Sequence, residues 1–254
     1  MSGRYAIYNR FRNFLYGVEP IRKAYFFVKI GLKIDPINKL RSKKLAKDGE
    51  RNLALILEAL DGSDIRAFCA YGTLLGIVRD GGFIPHDTDM DMGILDDASF
   101  SWNALEEAMK KRGLQKVRYF SYKGEVTEQC YCLPDGLTVD FFLFSKLNPD
   151  TCCSYYYFQD KTSAYERGGV LHVKRNCYSM IRGVKEMEFH GMRIPIPENP
   201  EKHLEDVYGP GWKTPDPGYE VDLSKNRMPG LGQMFETGGG WTIDLPPRAQ
   251  RENR

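Results

Sequence analysis

Three aspartates on alternate residues, Asp87, Asp89 and Asp91, sit in the stretch AYGTLLGIVRDGGFIPHDTDMDMGI, which runs from Ala70 to Ile94. In a strand, residues i and i+2 share one face, so Asp89 and Asp91 are expected to point the same way. Two bare carboxylates held that close repel. The pair becomes favourable if a divalent cation sits between them or if one takes up a proton. Hard oxygen ligands suit Mg²⁺ or Mn²⁺. Asp140 is the natural third ligand, because it interrupts the apolar, β-branched run LTVDFFLF, where an unpaired buried charge is costly. Three carboxylates on adjacent strands would hold one or two metals over a phosphate, as in-line phosphoryl displacement requires.

The loop before the aspartates fits the same chemistry. Gly72 and Thr73 stand where a strand turns into a helix, and free backbone N–H groups there favour a phosphate. Arg79 would add positive charge. A calcium loop of the D-x-D-x-D-G-x5-E type is excluded, because it needs glycine at Met92 and glutamate at Ala98. A D-x-D glycosyltransferase is the stronger rival. Such enzymes usually place a nucleotide-binding α/β half before the motif, and only about forty residues lie between the basic arm and Asp87 here. A solvated acidic turn does not explain why the aspartates alternate with Met90, Met92 and Ile94.

Several elements must position these residues. IRAFCAYG is an apolar strand ending in Gly72, and TLLGIVRDGG a short helix closed by Gly81 and Gly82. DMDMGIL has the period of a strand. AKDGERNLALILEAL (46–60) reads as a helix with Leu53, Ile56 and Leu60 on one stripe. SFSWNALEEAMKKRG reads as a helix capped by Ser99 or Ser101 and stopped at Gly113. Three strand-like runs follow, LQKVRYFSY, GEVTEQCYCL and LTVDFFLF, the last two separated by Pro134, Asp135 and Gly136. Residues 151–197 are strand-rich, and PENPEKHLEDVYG is a helix with both ends marked.

The whole chain sets the bounds. Its 254 residues, 42% hydrophobic, suffice for one sizeable core. No apolar run reaches the ~18 residues of a membrane span, and no signal peptide is visible. The six cysteines fall in C-x-C and C-C spacings or alone, which reads as reduced thiols in a cytosolic protein. The net charge of +2 hides an asymmetry. Residues 1–47 carry twelve Lys or Arg against two acids, a balance of +10, and the remainder carries 24 against 32, or −8. Within this arm, residues 20–33 read as a basic amphipathic helix, suited either to docking on the protein's own core or to a membrane surface. The chain thus divides into an arm (1–47), a catalytic domain (48–222) and a Gly/Pro-rich tail (223–254).

The pattern YGTLLGIVRDGGFIPHDTDMDMGI, then LTVDFFLF, then HLEDVYGPGW closely resembles the LicD family, which includes fukutin and fukutin-related protein. The resemblance covers roughly residues 50–220. It implies an α/β (α+β) nucleotidyltransferase-like fold, a small mixed sheet flanked by helices. It also implies metal-dependent transfer of a phosphorylated alcohol (phosphocholine, ribitol phosphate or glycerol phosphate) from a CDP-linked donor to a cell-surface glycan or its lipid-linked precursor. Asp89 and Asp91 match the family's metal-binding pair and Asp140 its later acidic residue, so these three are the expected catalytic and metal-ligating set. Gly72, Thr73, Arg79 and Asp87 are expected at the donor. His86 and Thr88 depart from the residues common in the family, which bears on donor or acceptor choice. His86, Lys174, Arg175, Tyr208, Gly209, Gly211 and Trp212 are weaker candidates. A cytoplasmic protein touching the membrane's cytoplasmic face through residues 1–47 fits this picture. Nucleic acid does not, since no RNA-binding module accompanies the arm. A catalytically silent scaffold in glycan assembly is the remaining alternative.

Overall fold

The computed structural model describes Pro20 and residues 36–159, 171–216, 218–236 and 243–244. The helix expected over 20–33 therefore lies, apart from Pro20, outside the described residues. Four helices are described: α1 (Pro36–Leu60), α2 (Tyr71–Leu75, continued by a π-type turn over Gly76–Asp80), α3 (Trp102–Lys111) and α4 (Pro200–Tyr208). The strands are β1 (Ala67–Cys69), β2 (Met90–Leu95), β3 (Gln115–Tyr122), β4 (Glu125–Cys132), β5 (Thr138–Asn148), β6 (Thr151–Gln159), β7 (Leu171–Ser179), β8 (Val184–Phe189), β9 (Met192–Pro197), β10 (Gly232–Glu236) and β11 (Ile243–Asp244).

The main sheet runs β1-β2-β5-β4-β3-β10-β7-β6, and β6 pairs back onto β5. Strands β5, β4, β3, β10, β7 and β6 thus close a six-stranded antiparallel barrel. β2 adds to the outside of β5 in parallel and β1 adds to β2 antiparallel. The mixed α/β fold expected from the sequence is the fold observed.

The period of β2 divides the molecule. Met90, Met92 and Ile94 are buried with Val139 and Phe141 in one core, which also takes Leu45, Leu53 and Ile56 of α1 and Leu105 and Met109 of α3. Those helix positions recur at three, four or eight residues, so each helix presents one apolar stripe. The opposite face of β2 carries Asp91, Gly93 and Leu95. There a second core forms from Phe68, Leu95, Phe144 and Tyr178. Gly93 is required beneath it, because a Cβ would meet Phe68 Cζ at 2.2 Å. The carboxylates lie on this second face, at the strand ends.

Two expected boundaries move. The helix predicted to start at residue 46 starts at Pro36, so α1 runs unbroken through the division drawn after Lys47. Leu45 is buried, and Asn52 Nδ2 donates to Asp135 Oδ2 at 2.8 Å, anchoring α1 to the β4–β5 turn. The lysines and arginines of 39–47 obscured its shorter apolar stripe. The second difference falls in the Gly/Pro-rich tail, where the composition signals no strand. Its Gly232–Glu236 pairs along β3 from Gly232↔Tyr122 to Glu236↔Arg118 and touches β7 at Leu171. Flanking glycines hid a five-residue strand whose Phe235 stacks on Tyr119 at 4.6 Å.

This strand closes the barrel, and its loss would leave two exposed edges open to intermolecular pairing. A chain ended at Gly230 is expected to aggregate on size-exclusion chromatography, whereas one ended at Asp244 is expected to elute as the full chain does. Normal elution of the Gly230 truncation would show that β10 is dispensable.

Candidate functional site

One register row builds the site. Asp91 on β2 pairs with Asp140 on β5, Asp140 with Cys130 on β4, and Cys130 with Arg118 on β3. Residues paired in this way share a face. Neighbouring strands lie ~4.8 Å apart, so the two aspartates stand side by side. Asp89 precedes β2 by one residue and approaches the same group.

The turn at Tyr71–Thr73 fixes Asp91. Thr73 Oγ1 accepts from the Asp91 amide at 2.9 Å, and the Ala70 amide donates to the Asp91 carbonyl at 3.0 Å. The Gly72 amide donates to the Asp91 carboxylate. Gly72 has a steric reason as well, since a Cβ there would lie 2.5 Å from Asp87 Oδ2. Tyr71 takes a left-handed conformation, φ 42°, unusual for a residue with a bulky side chain. Its hydroxyl is held by Ser154 Oγ at 2.5 Å and Tyr178 Oη at 3.0 Å.

The expected phosphate role of Gly72 and Thr73 is thus modified: their amide and hydroxyl are engaged with Asp91. Arg79 is likewise engaged, its Nε and Nη2 donating to Asp80 at 2.8 and 2.7 Å. His86 is exposed. Trp212 is buried in the core, and Lys174 Nζ donates to the Asp222 carbonyl at 2.6 Å. Tyr208 lies near the site: burial first, then the charges of Asp91 and Asp87, push its phenol up.

Two arginines absent from the sequence-based set face the carboxylates. Arg118 Nη2 donates to Asp140 at 3.1 and 3.3 Å. Arg41 Nη2 stands 3.7 Å from Asp89 Oδ2 and donates to Thr138 Oγ1 at 2.5 Å. Arg41 had been counted in the basic arm, and only the backward extension of α1 brings it here. Arg118 and the buried Glu128 could not be found from sequence, because strand register decides that they face Asp140.

The electrostatics are those of crowded carboxylates. Burial first, then the charge of Asp140, pushes Asp89 up to about 6, with Arg41 and Arg118 opposing. Burial and then Asp89 and Asp140 push Asp91 well up. Glu128 is pushed up by burial and Asp140, against Arg118. An all-oxygen, electron-rich, partly desolvated donor set suits a hard divalent cation. As the side chains stand, no three of His, Cys, Asp or Glu converge on one point among the described residues. Asp89 is drawn toward Arg41 and Asp140 toward Arg118. The donors therefore fit such an ion by chemistry and need side-chain rotation to surround it.

A family model described as the LicD/FKTN/FKRP nucleotidyltransferase domain matches residues 64–199, more than half of the chain and the whole of this row. The chain belongs to the LicD family. LicD membership implies transfer of phosphorylated alcohols in glycan modification, with a nucleotide-activated donor and a glycan acceptor. No curated protein matches the chain. No described helix is long and apolar enough to cross a membrane.

The raised carboxyls carry a pH signature. The folded chain holds these protons more tightly than the unfolded one, whose aspartates titrate near ~3.9. The resulting stability is complete below about pH 4 and is lost as pH rises through about 6. In metal-free buffer, Asp91→Asn is expected to raise the melting temperature at pH 7, by ~2–4 °C for each kcal/mol of repulsion relieved. The gain is expected to shrink toward pH 4. A variant no more stable than wild type at pH 7 would contradict the repulsion.

Proposed function

We propose that this LicD protein transfers a phosphocholine-, ribitol phosphate- or glycerol phosphate-type group from a CDP-linked donor to a cell-surface glycan or its lipid-linked precursor. The observation that carries the reading is the Asp91–Asp140 register pair lying within the family-matched segment. Asp89, Asp91 and Asp140 would hold Mg²⁺ or Mn²⁺, which when bound withdraws charge from the pyrophosphate oxygens. Gly72 and Thr73 keep Asp91 in place, so their part is positional, and Asp87 would stand beside the donor. Within residues 1–47, those preceding α1 would keep the chain near anionic lipid at the cytoplasmic face.

In the transfer step, the acceptor hydroxyl oxygen attacks the phosphorus of the transferred group. A new O–P bond forms as the P–O bond to CMP breaks, and CMP leaves with the electron pair. The hydroxyl proton passes to a carboxylate of the row, Asp140 for preference, the residue that Arg118 and the Cys130 thiol hold in place. The first core, on the reverse face of β2 and β5, fixes Asp91 and Asp140 on strands rather than on loops, which keeps the reacting groups in register.

CMP release from CDP-choline, CDP-ribitol and CDP-glycerol, measured by chromatography with Mg²⁺ or Mn²⁺ and a glycan acceptor, tests the reading. Wild type is expected to turn over one donor. Asp140→Asn is expected to lower the rate by ~10²–10⁴-fold while leaving the melting temperature within a few degrees of wild type. Near-full activity of a folded Asp140→Asn chain would contradict the assignment. Turnover of a nucleotide sugar instead would point to glycosyl transfer.

A further inference from the structure

We propose that Arg118 binds a phosphoryl oxygen of the donor. This rests on reading the site as one for a phosphate-bearing nucleotide donor. Register places Arg118 two strands from Asp140, and its guanidinium reaches across Cys130 to the carboxylate. Anything bound at Asp140 therefore lies within reach of Arg118.

The guanidinium is incompletely used. Among the described residues, its only side-chain hydrogen bonds run from Nη2 to Asp140, so Nε–H and the Nη1 donors have no protein acceptor. Nε is buried without a partner. A buried donor left unmet is costly, so its persistence calls for a reason. The Phe120 ring lies 5.9 Å from the guanidinium carbon and limits where the group can go. About a quarter of the side chain, 26%, remains accessible.

Charge balance points the same way. Three ionised aspartates outweigh one divalent cation, and with Arg41 set against Asp89 the site is only neutral, so without Arg118 a pyrophosphate arriving there would meet no net positive charge. Arg118 corrects that balance from inside the row. Arg79 is already engaged at both Nε and Nη2 with Asp80, and Arg41 lies against Asp89 and Thr138. Arg118 neither gives nor takes a proton in the step. It meets the negative charge that gathers on the equatorial oxygens as the acceptor oxygen bonds to phosphorus and CMP departs.

The role has a signature that structural support lacks. A cation beside the carboxylates opposes a metal and favours a phosphate, so its removal should move the two affinities in opposite directions. The experiment uses the full chain and Arg118→Met, Arg118→Gln and Arg118→Lys. Mn²⁺ alone is titrated by electron paramagnetic resonance, and inorganic pyrophosphate with Mg²⁺ by calorimetry. Arg118→Met is expected to bind Mn²⁺ more tightly and Mg²⁺-pyrophosphate about ten- to a hundredfold more weakly, with Arg118→Lys between it and wild type. If the Met variant does not fold, Arg118→Gln is read in the same way.

Parallel loss of both affinities would assign Arg118 a structural role and overturn the proposal. So would unchanged pyrophosphate affinity, or a wild type that binds no pyrophosphate with metal present. Opposite shifts without CMP release from any CDP-alcohol would leave Arg118 as a phosphate ligand and remove the donor assignment instead.

Discussion

Two carboxylates placed side by side on neighbouring parallel strands repel by on the order of 3–4 kcal/mol at an effective dielectric of about 20. Much of the structure around Asp91 and Asp140 follows from tolerating that repulsion. Arg118 is set in the same row to hold Asp140, and Arg41 is brought in from α1 to face Asp89. Gly72 and Thr73 tie down Asp91 through one amide and one hydroxyl. Even so, Asp89 and Asp91 remain shifted toward their protonated forms. A site adjusted for stability alone would replace one of these carboxylates with a neutral residue.

The barrel makes this crowding possible. A loop bearing three aspartates would splay them into water. Strands β2 and β5 cannot do so, because Met90, Met92, Val139 and Phe141 are buried on the reverse face. A register slip of one residue would turn those side chains out of the core and the carboxylates into it. The hydrophobic period of β2 and β5 therefore sets the distance between the charges. Closure through β10 carries the same constraint round to β3, whose Arg118 must stay opposite Cys130.

Local chemistry was legible where it left a local pattern. The alternation of Asp89 and Asp91 with Met90 and Met92 announced a strand, and Asp140 stood out within an apolar run. Ser101 and Gly113 mark the ends of α3, and Gly81 at φ 68° closes the turn after α2. What was not legible depends on contacts distant in sequence. Arg118 and Asp140 are 22 residues apart and meet only once three strands have found their register. Arg41 and Thr138 are 97 apart, and the charge run around Arg41 reads as a solvated arm until α1 docks. β10 was hidden because its apolar pattern is too short to outweigh its flanking glycines.

On the proposed function, a divalent cation completes the carboxylate row. The most direct measurement is the melting temperature of the full chain at pH 7 as Mn²⁺ or Mg²⁺ is titrated, with Ca²⁺ as a comparison and Asp89→Asn/Asp91→Asn as the control. Binding to the folded state raises the melting temperature by mass action. The account predicts a saturable rise with Mn²⁺ or Mg²⁺ in wild type that the double variant lacks. A flat profile at millimolar metal, or an equal rise in both proteins, would contradict it.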